Sequence, residues 1–232
     1  MPDRNFPSCI LLSIGFWVSF SAFNGCSALI SKIYDDMDLK GLGQINTFCI
    51  YLTLAFGNIF VSKIVACFKH PKHIIQVGAL IFSTYYLAGM MTSLCTVDGY
   101  AGKGTLLCET GFLKAMNIFV SCLIGLAGAT LVWSGQYAYI VFLSNSSNRG
   151  KYFGTFYSFL GFTQTLGNGF NAVYYQFNNA GSFLYFCLLF FLAMVAMVIF
   201  CFLPTKNKNL GHNDTDNDDW VDQTNNQDQN RL

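Results

Sequence analysis

The stretch Leu126-Ala-Gly-Ala-Thr-Leu-Val-Trp133-Ser134-Gly135-Gln136-Tyr137-Ala138-Tyr139 decides how this chain is read, with the link Ser147-Asn148-Arg149-Gly150-Lys151-Tyr152-Phe153-Gly154 that follows it. It sits in an interval, Ala115 to Asn148, that carries no charged side chain. An amide in hydrocarbon is costly unless it finds a partner, so Gln136 must face protein or a wet cavity. The Arg149 to Lys151 link then turns the chain and holds positive charge on one membrane face.

Similar intervals lie on both sides: Asn5 to Ser31, Gly41 to Ser62, Ile74 to Val97, and Tyr152 to Thr205. A span needs roughly 20 mainly apolar residues, so the first three and Ala115 to Asn148 are one helix each. The last interval is long enough for two, divided at the turn-forming cluster Gln176 to Ser182. Only 11% of the residues are charged, against about a quarter in a soluble domain. The expected fold is an all-α membrane protein with six transmembrane helices, over residues 6–31, 42–62, 74–96, 115–142, 153–175 and 183–203. Residues 1–5 form a short cytosolic start. Residues 204–232, rich in Asn, Asp and Gln, cannot bury a core and are expected to be a disordered cytosolic tail. The first run is too long for a signal peptide and is read as an uncleaved helix.

Lysine and arginine set the expected orientation. Arg4, Lys63, Lys69, Lys72, Arg149, Lys151, Lys206 and Lys208 fall on one side, and Lys32, Lys40, Lys103 and Lys114 on the other. Eight against four places both termini in the cytosol. The sequons at Asn145 and Asn213 then lie on the face that is not glycosylated. Most of the nine cysteines sit inside spans, where a thiol acts as a small apolar group. Cys95 and Cys108 are the pair that could bridge the third loop.

The six helices carry signs of an internal repeat. Leu54-Ala-Phe-Gly57-Asn58-Ile-Phe60 in helix two resembles Gln164-Thr-Leu-Gly167-Asn168-Gly-Phe170 in helix five. Helices one and four each hold a tryptophan and an amide, Trp17 with Asn24 and Trp133 with Gln136. Two inverted three-helix repeats would give this pairing, as within each six-helix half of a major facilitator transporter. Glycine permits close helix approach, and a neighbouring amide can bond across it. Gly57, Asn58, Gly167 and Asn168 are therefore read as helix packing, with solute binding as the competing role. Asn24 and Gln136 stand between packing and a central cavity.

In these residues the chain resembles the uncoordinated-93-like family, the ion-channel regulatory branch of the major facilitator superfamily. The resemblance rests on Trp133, Ser134, Gly135, Gln136 and Tyr139, on Arg149-Gly150 with Phe153 and Gly154, on Gln164 with Gly167-Asn168, and on Gly15-Phe16 through Ala22-Phe23. It runs over about residues 10 to 203 and matches the amino-terminal six-helix half, with about twice as many helices in the whole fold. Tyr137 stands where the family often has glycine. The loop Lys63 to His73 keeps the lysines of the facilitator gating loop but lacks its acid.

The resemblance implies a cavity lined by Asn24, Trp133, Gln136, Tyr139 and Gln164, and cytosolic gating loops at Lys63, Arg149 and Lys151. The expected function is transmembrane transport of a small solute. The alternative is a non-transporting regulator of an ion channel, or a trafficking accessory for another membrane protein. Expected partners are the lipid bilayer, a second copy or a missing carboxy-terminal half, and a channel or receptor, with no nucleic acid. No cofactor, metal site or enzymatic activity is expected. His70 and His73 flank Pro71 with no third ligand nearby, and no base accompanies the serines, threonines and cysteines of the spans.

Overall fold

Lipid offers the backbone no hydrogen-bond partners, so apolar runs of this length must satisfy their own peptide groups as helices. A computed structural model of the chain describes residues 5–96, 100, 102, 104–177 and 181–205. Among these there is no strand. Arg4, Lys103, Lys206, Lys208, Asn213 and residues 206–232 lie outside the described residues.

The helices are α1 (Phe6–Asp36), α2 (Leu42–Ala66), α3 (Pro71–Thr96), α4 (Thr110–Leu123), α5 (Thr130–Leu143), α6 (Arg149–Gly161), α7 (Thr163–Phe177) and α8 (Ser182–Cys201). A single π-helical segment, Ile124–Ala129, joins α4 to α5 without a break, and a short 3₁₀ turn, Leu106–Cys108, precedes α4. Five passes are long and apolar enough to cross a membrane: α1, α2, α3, Thr110–Leu143 and α8. Between them, α6 and α7 follow one another along α1, interrupted at Phe162; they are not among those five and are termed together the α6/α7 pass.

Several helices overrun the charge-free intervals, for physical reasons. The first continues past Lys32 because Ile33 and Tyr34 are buried, and Tyr34 Oη donates to Asn117 Oδ1 at 2.7 Å. The third starts at Pro71, since proline lacks an N–H that the first turn would leave unbonded anyway. Lys72 Nζ caps the far end of α8 by donating to Cys201 O at 2.8 Å. Gly41 begins α2 at φ 75°, a left-handed conformation that glycine adopts without strain, and its N–H donates to the Asp35 carboxylate at 3.1 Å.

One face of the bundle gathers the start of α1, the start of α6 and the end of α8. There Asn5 Nδ2 donates to Leu143 O at 3.0 Å, and Lys151 Nζ lies 4.1 Å from the Phe6 ring centroid. The opposite face holds a disulfide between Cys95 and Cys108, which ties the end of α3 to the turn before α4. A buried network just inside it links three helices: Asn117 accepts from Tyr34 and donates through Nδ2 to Thr92 Oγ1 at 2.8 Å.

Close helix contacts run through glycine. A β-carbon at Gly167 would lie 2.6 Å from Ser21 O and 2.7 Å from Gly25 N, so α7 touches α1 backbone to backbone. At Gly57 it would lie 2.6 Å from Leu126 O and collide with the Thr130 side chain, which fixes α2 against the π segment. Both pairs run parallel. Asn58 and Asn168, expected to bond across these contacts, instead point outward and are exposed. The reason is geometric: neighbours in sequence are about 100° apart around a helix, and on α2 and α7 that turn carries the residue after the contact glycine to the outer side.

Candidate functional site

Midway between the two faces, α1, α2, α3, the fourth pass and the α6/α7 pass border a half-open cavity of about 210 Å³. It is lined by rings from Phe20, Phe23, Tyr51, Phe82 and Trp133, with Asn24 and Thr163 as polar groups. The rings are packed, with centroids 4.9 Å apart for Phe20 and Trp133 and 5.0 Å for Phe23 and Phe82. These rings build a low-dielectric wall around one small polar patch.

Two helix irregularities place that patch. In the fourth pass the π turn inserts an extra residue, and Thr130 Oγ1 donates back to Gly125 O at 3.0 Å. Such turns rotate everything that follows them and are frequent at functional sites. Here the turn ends on Ala129, a lining residue, and brings Trp133 to the cavity one turn later. In the other pass, the interruption at Phe162 sets Thr163 at the start of α7, buried and facing α1. Asn24 Nδ2 donates to Thr163 Oγ1 at 2.8 Å, and Thr163 Oγ1 donates to Leu160 O at 2.7 Å.

Of the five cavity candidates read from the sequence, Asn24 and Trp133 line the cavity and three do not. Gln136 is buried, at 2% exposure, but lies one turn farther along α5, and its Nε2 has no hydrogen-bond partner among the described residues. Packed rings of Phe16, Trp133 and Phe156 stand between that level and the cavity, with Phe16 at 5.0 Å from Phe156 and 6.1 Å from Trp133. Tyr139 is buried and donates to Pro204 O at 2.9 Å, holding the end of α8. Gln164 is exposed on α7, displaced from the cavity because its neighbour Thr163 takes the inward position. Trp17 belongs to a separate shallow groove with Phe162, Thr165 and Leu166.

The gating-loop candidates lie on the face that gathers the start of α1. Lys63 is exposed in the last turn of α2, and Arg149 and Lys151 occupy the first turn of α6. Thr163 and the Phe20, Phe23, Tyr51 and Phe82 rings were not singled out by sequence. Another amide was also missed: Asn171 donates through Nδ2 to Gly25 O at 2.8 Å and accepts from Tyr185 at 2.9 Å. Its spacing was the available signal, since Thr163, Gly167 and Asn171 stand four apart on one helix face.

Comparison with protein-family models gives no match, and comparison with curated proteins gives none either.

Proposed function

We propose that this chain is a multi-pass membrane protein that takes a small solute into the Asn24 cavity for passage across the membrane, built as one half of a major-facilitator-like carrier of the uncoordinated-93-like type. The observation that carries the reading is the Asn24–Thr163 pair, set among five rings at the meeting point of five passes. A polar pair of this kind, with Thr163 buried and Asn24 half-buried among apolar side chains, marks a solute site in a membrane protein. The volume, about 210 Å³, is below the roughly 300–1,000 Å³ of drug-sized pockets, so the solute is small.

The packing supports the two inverted three-helix repeats. Exchanging α1 with the fourth pass, α2 with the α6/α7 pass and α3 with α8 returns the same neighbours: α2 lies along the fourth pass as α6/α7 lies along α1. Gly57 and Gly167 sit at the two equivalent contacts. Inverted repeats meeting at a midplane site are the general plan of such carriers. The disulfide supports the orientation, since a bond of this kind persists on the oxidising side of a membrane and leaves the opposite face, with the first residues, to the cytosol.

The test is uptake of small labelled solutes by liposomes holding the purified chain. Saturable uptake that is lost in Asn24→Leu and retained in Gln136→Met supports transport; uptake no faster than in empty liposomes counts against it.

A second reading, a docking accessory for a channel or receptor, is favoured by one observation. Asn58, Gln164 and Asn168 are exposed on α2 and α7, where lipid would leave their amides unbonded. Cross-linking from Asn168→Cys to another membrane protein in native membranes, without solute uptake, would select it.

A further inference from the structure

We propose that the cavity selects small protonated amines, an inference that rests on the solute-site reading above. The hydrogen bonds fix which polar atom faces the cavity. Thr163 has one hydroxyl proton, and it is spent on Leu160 O. Toward Asn24 the hydroxyl can therefore only accept, which requires the amide nitrogen on that side. The Asn24 carbonyl oxygen is left without a hydrogen-bond partner among the described residues, on a side chain that lines the cavity. The Asn24–Thr163 pair thus offers a solute the Asn24 carbonyl as acceptor, with the second Asn24 N–H as its one remaining donor.

The remaining wall is five rings with the aliphatic side chains of Ile50, Leu54, Ala129 and Leu160, and the ring faces carry negative quadrupole potential. Cations are drawn to such faces, most strongly to tryptophan and most when desolvated. An ammonium group answers both features at once: its N–H donates to Asn24 Oδ1 in a charge-assisted bond, and its charge lies among Phe20, Phe23, Phe82 and Trp133. A carboxylate could accept only the second Asn24 N–H, a neutral donor, and would lie against ring faces and a carbonyl oxygen of the wrong sign. A neutral alcohol can donate the bond but gains nothing from the ring quadrupoles. No acid lines the cavity, so nothing pairs with the ammonium as a full counter-charge, and its binding is weak enough for release.

The experiment uses the full chain in lipid nanodiscs at neutral pH, with intrinsic tryptophan fluorescence as readout and Trp133→Phe to assign the signal. Three probes share one ring and differ in the head group: benzylammonium, benzyl alcohol and benzoate. Benzylammonium is expected to bind saturably and about tenfold tighter than benzyl alcohol, equivalent to about 1.4 kcal/mol, with no benzoate binding. A preference under about threefold, or tighter benzoate binding, overturns the amine assignment while leaving a solute site. Failure of all three probes to perturb Trp133 overturns it too. Thiol labelling at Leu54, described below, then separates a wrong solute class from a cavity closed to water.

Discussion

Asn24 and Thr163, 139 residues apart in the sequence, meet at 2.8 Å across the contact between α1 and α7. Each is held by its own helix contact. Gly25, next to Asn24, lies against Gly167, and Thr163 is one turn from that same glycine. The bond therefore joins packing to chemistry: the glycine contact brings the helices close, and the closeness lets a short hydroxyl reach an amide. Trp133 closes the cavity from the fourth pass.

Thr163→Val should destabilise the protein by about 0.6–2 kcal/mol, because it leaves the Asn24 amide nitrogen unbonded inside the bundle. Thr163→Ser keeps the hydroxyl and should cost less. Thermal unfolding in mild detergent measures both, and equal melting temperatures for the two variants would contradict the bond's role.

Gly167→Ala and Gly57→Ala should each cost about 1–3 kcal/mol, since the added carbon meets backbone atoms that cannot move aside independently. Asn168→Ala and Asn58→Ala should be nearly neutral in the isolated protein, because both side chains point outward. The same unfolding assay reads the contrast, and a reversed order would return the packing role to the asparagines.

Gln136→Met should leave solute binding unchanged and hold or raise stability. The native side chain is 2% exposed with an unbonded Nε2, and replacing a buried, unsatisfied polar group by an apolar one of similar shape removes a desolvation cost. Loss of solute binding in a well-folded Gln136→Met protein would show that the cavity extends to that level.

Denatured without reductant, the chain should take up alkylating reagent at seven cysteines, and at nine after reduction. Closing a loop of sequence separation 13 is worth about 3 kcal/mol in the chain-entropy view, so Cys95→Ser should lower the melting temperature clearly. Nine reactive thiols before reduction would contradict the bond.

The long apolar helices and their order were legible because charge is confined to their ends: Lys32 to Lys40, Lys63 to Lys72, and Arg149 to Lys151 all lie between helices or at their ends. The cavity was legible only in part. Asn24 and Trp133 stood out as a rare amide and a rare indole, whereas Phe20, Phe23 and Phe82 are three of 24 phenylalanines with nothing to mark them. The π turn and the interruption at Phe162 contain no proline, and their glycines, Gly125, Gly128 and Gly161, are the same residue type that marks close helix contacts, so they did not stand out as breaks. Without those shifts, Gln136 and Gln164 looked as inward as Asn24. Reading Gly57-Asn58 and Gly167-Asn168 as pairs also missed the helical period: four residues beyond Gly167 stands Asn171, the amide that reaches α1.

Whether water reaches the Asn24 cavity tests the central claim most directly. Leu54 lines the cavity, while Phe191 is 63% exposed on the strongly apolar α8. With the seven cysteines outside the disulfide replaced, Leu54→Cys and Phe191→Cys proteins in liposomes would be treated with a charged, membrane-impermeant methanethiosulfonate reagent. Labelling of Leu54→Cys, with Phe191→Cys left unmodified, is the expected result; protection of Leu54→Cys equal to that of Phe191→Cys would contradict a solute-accessible interior.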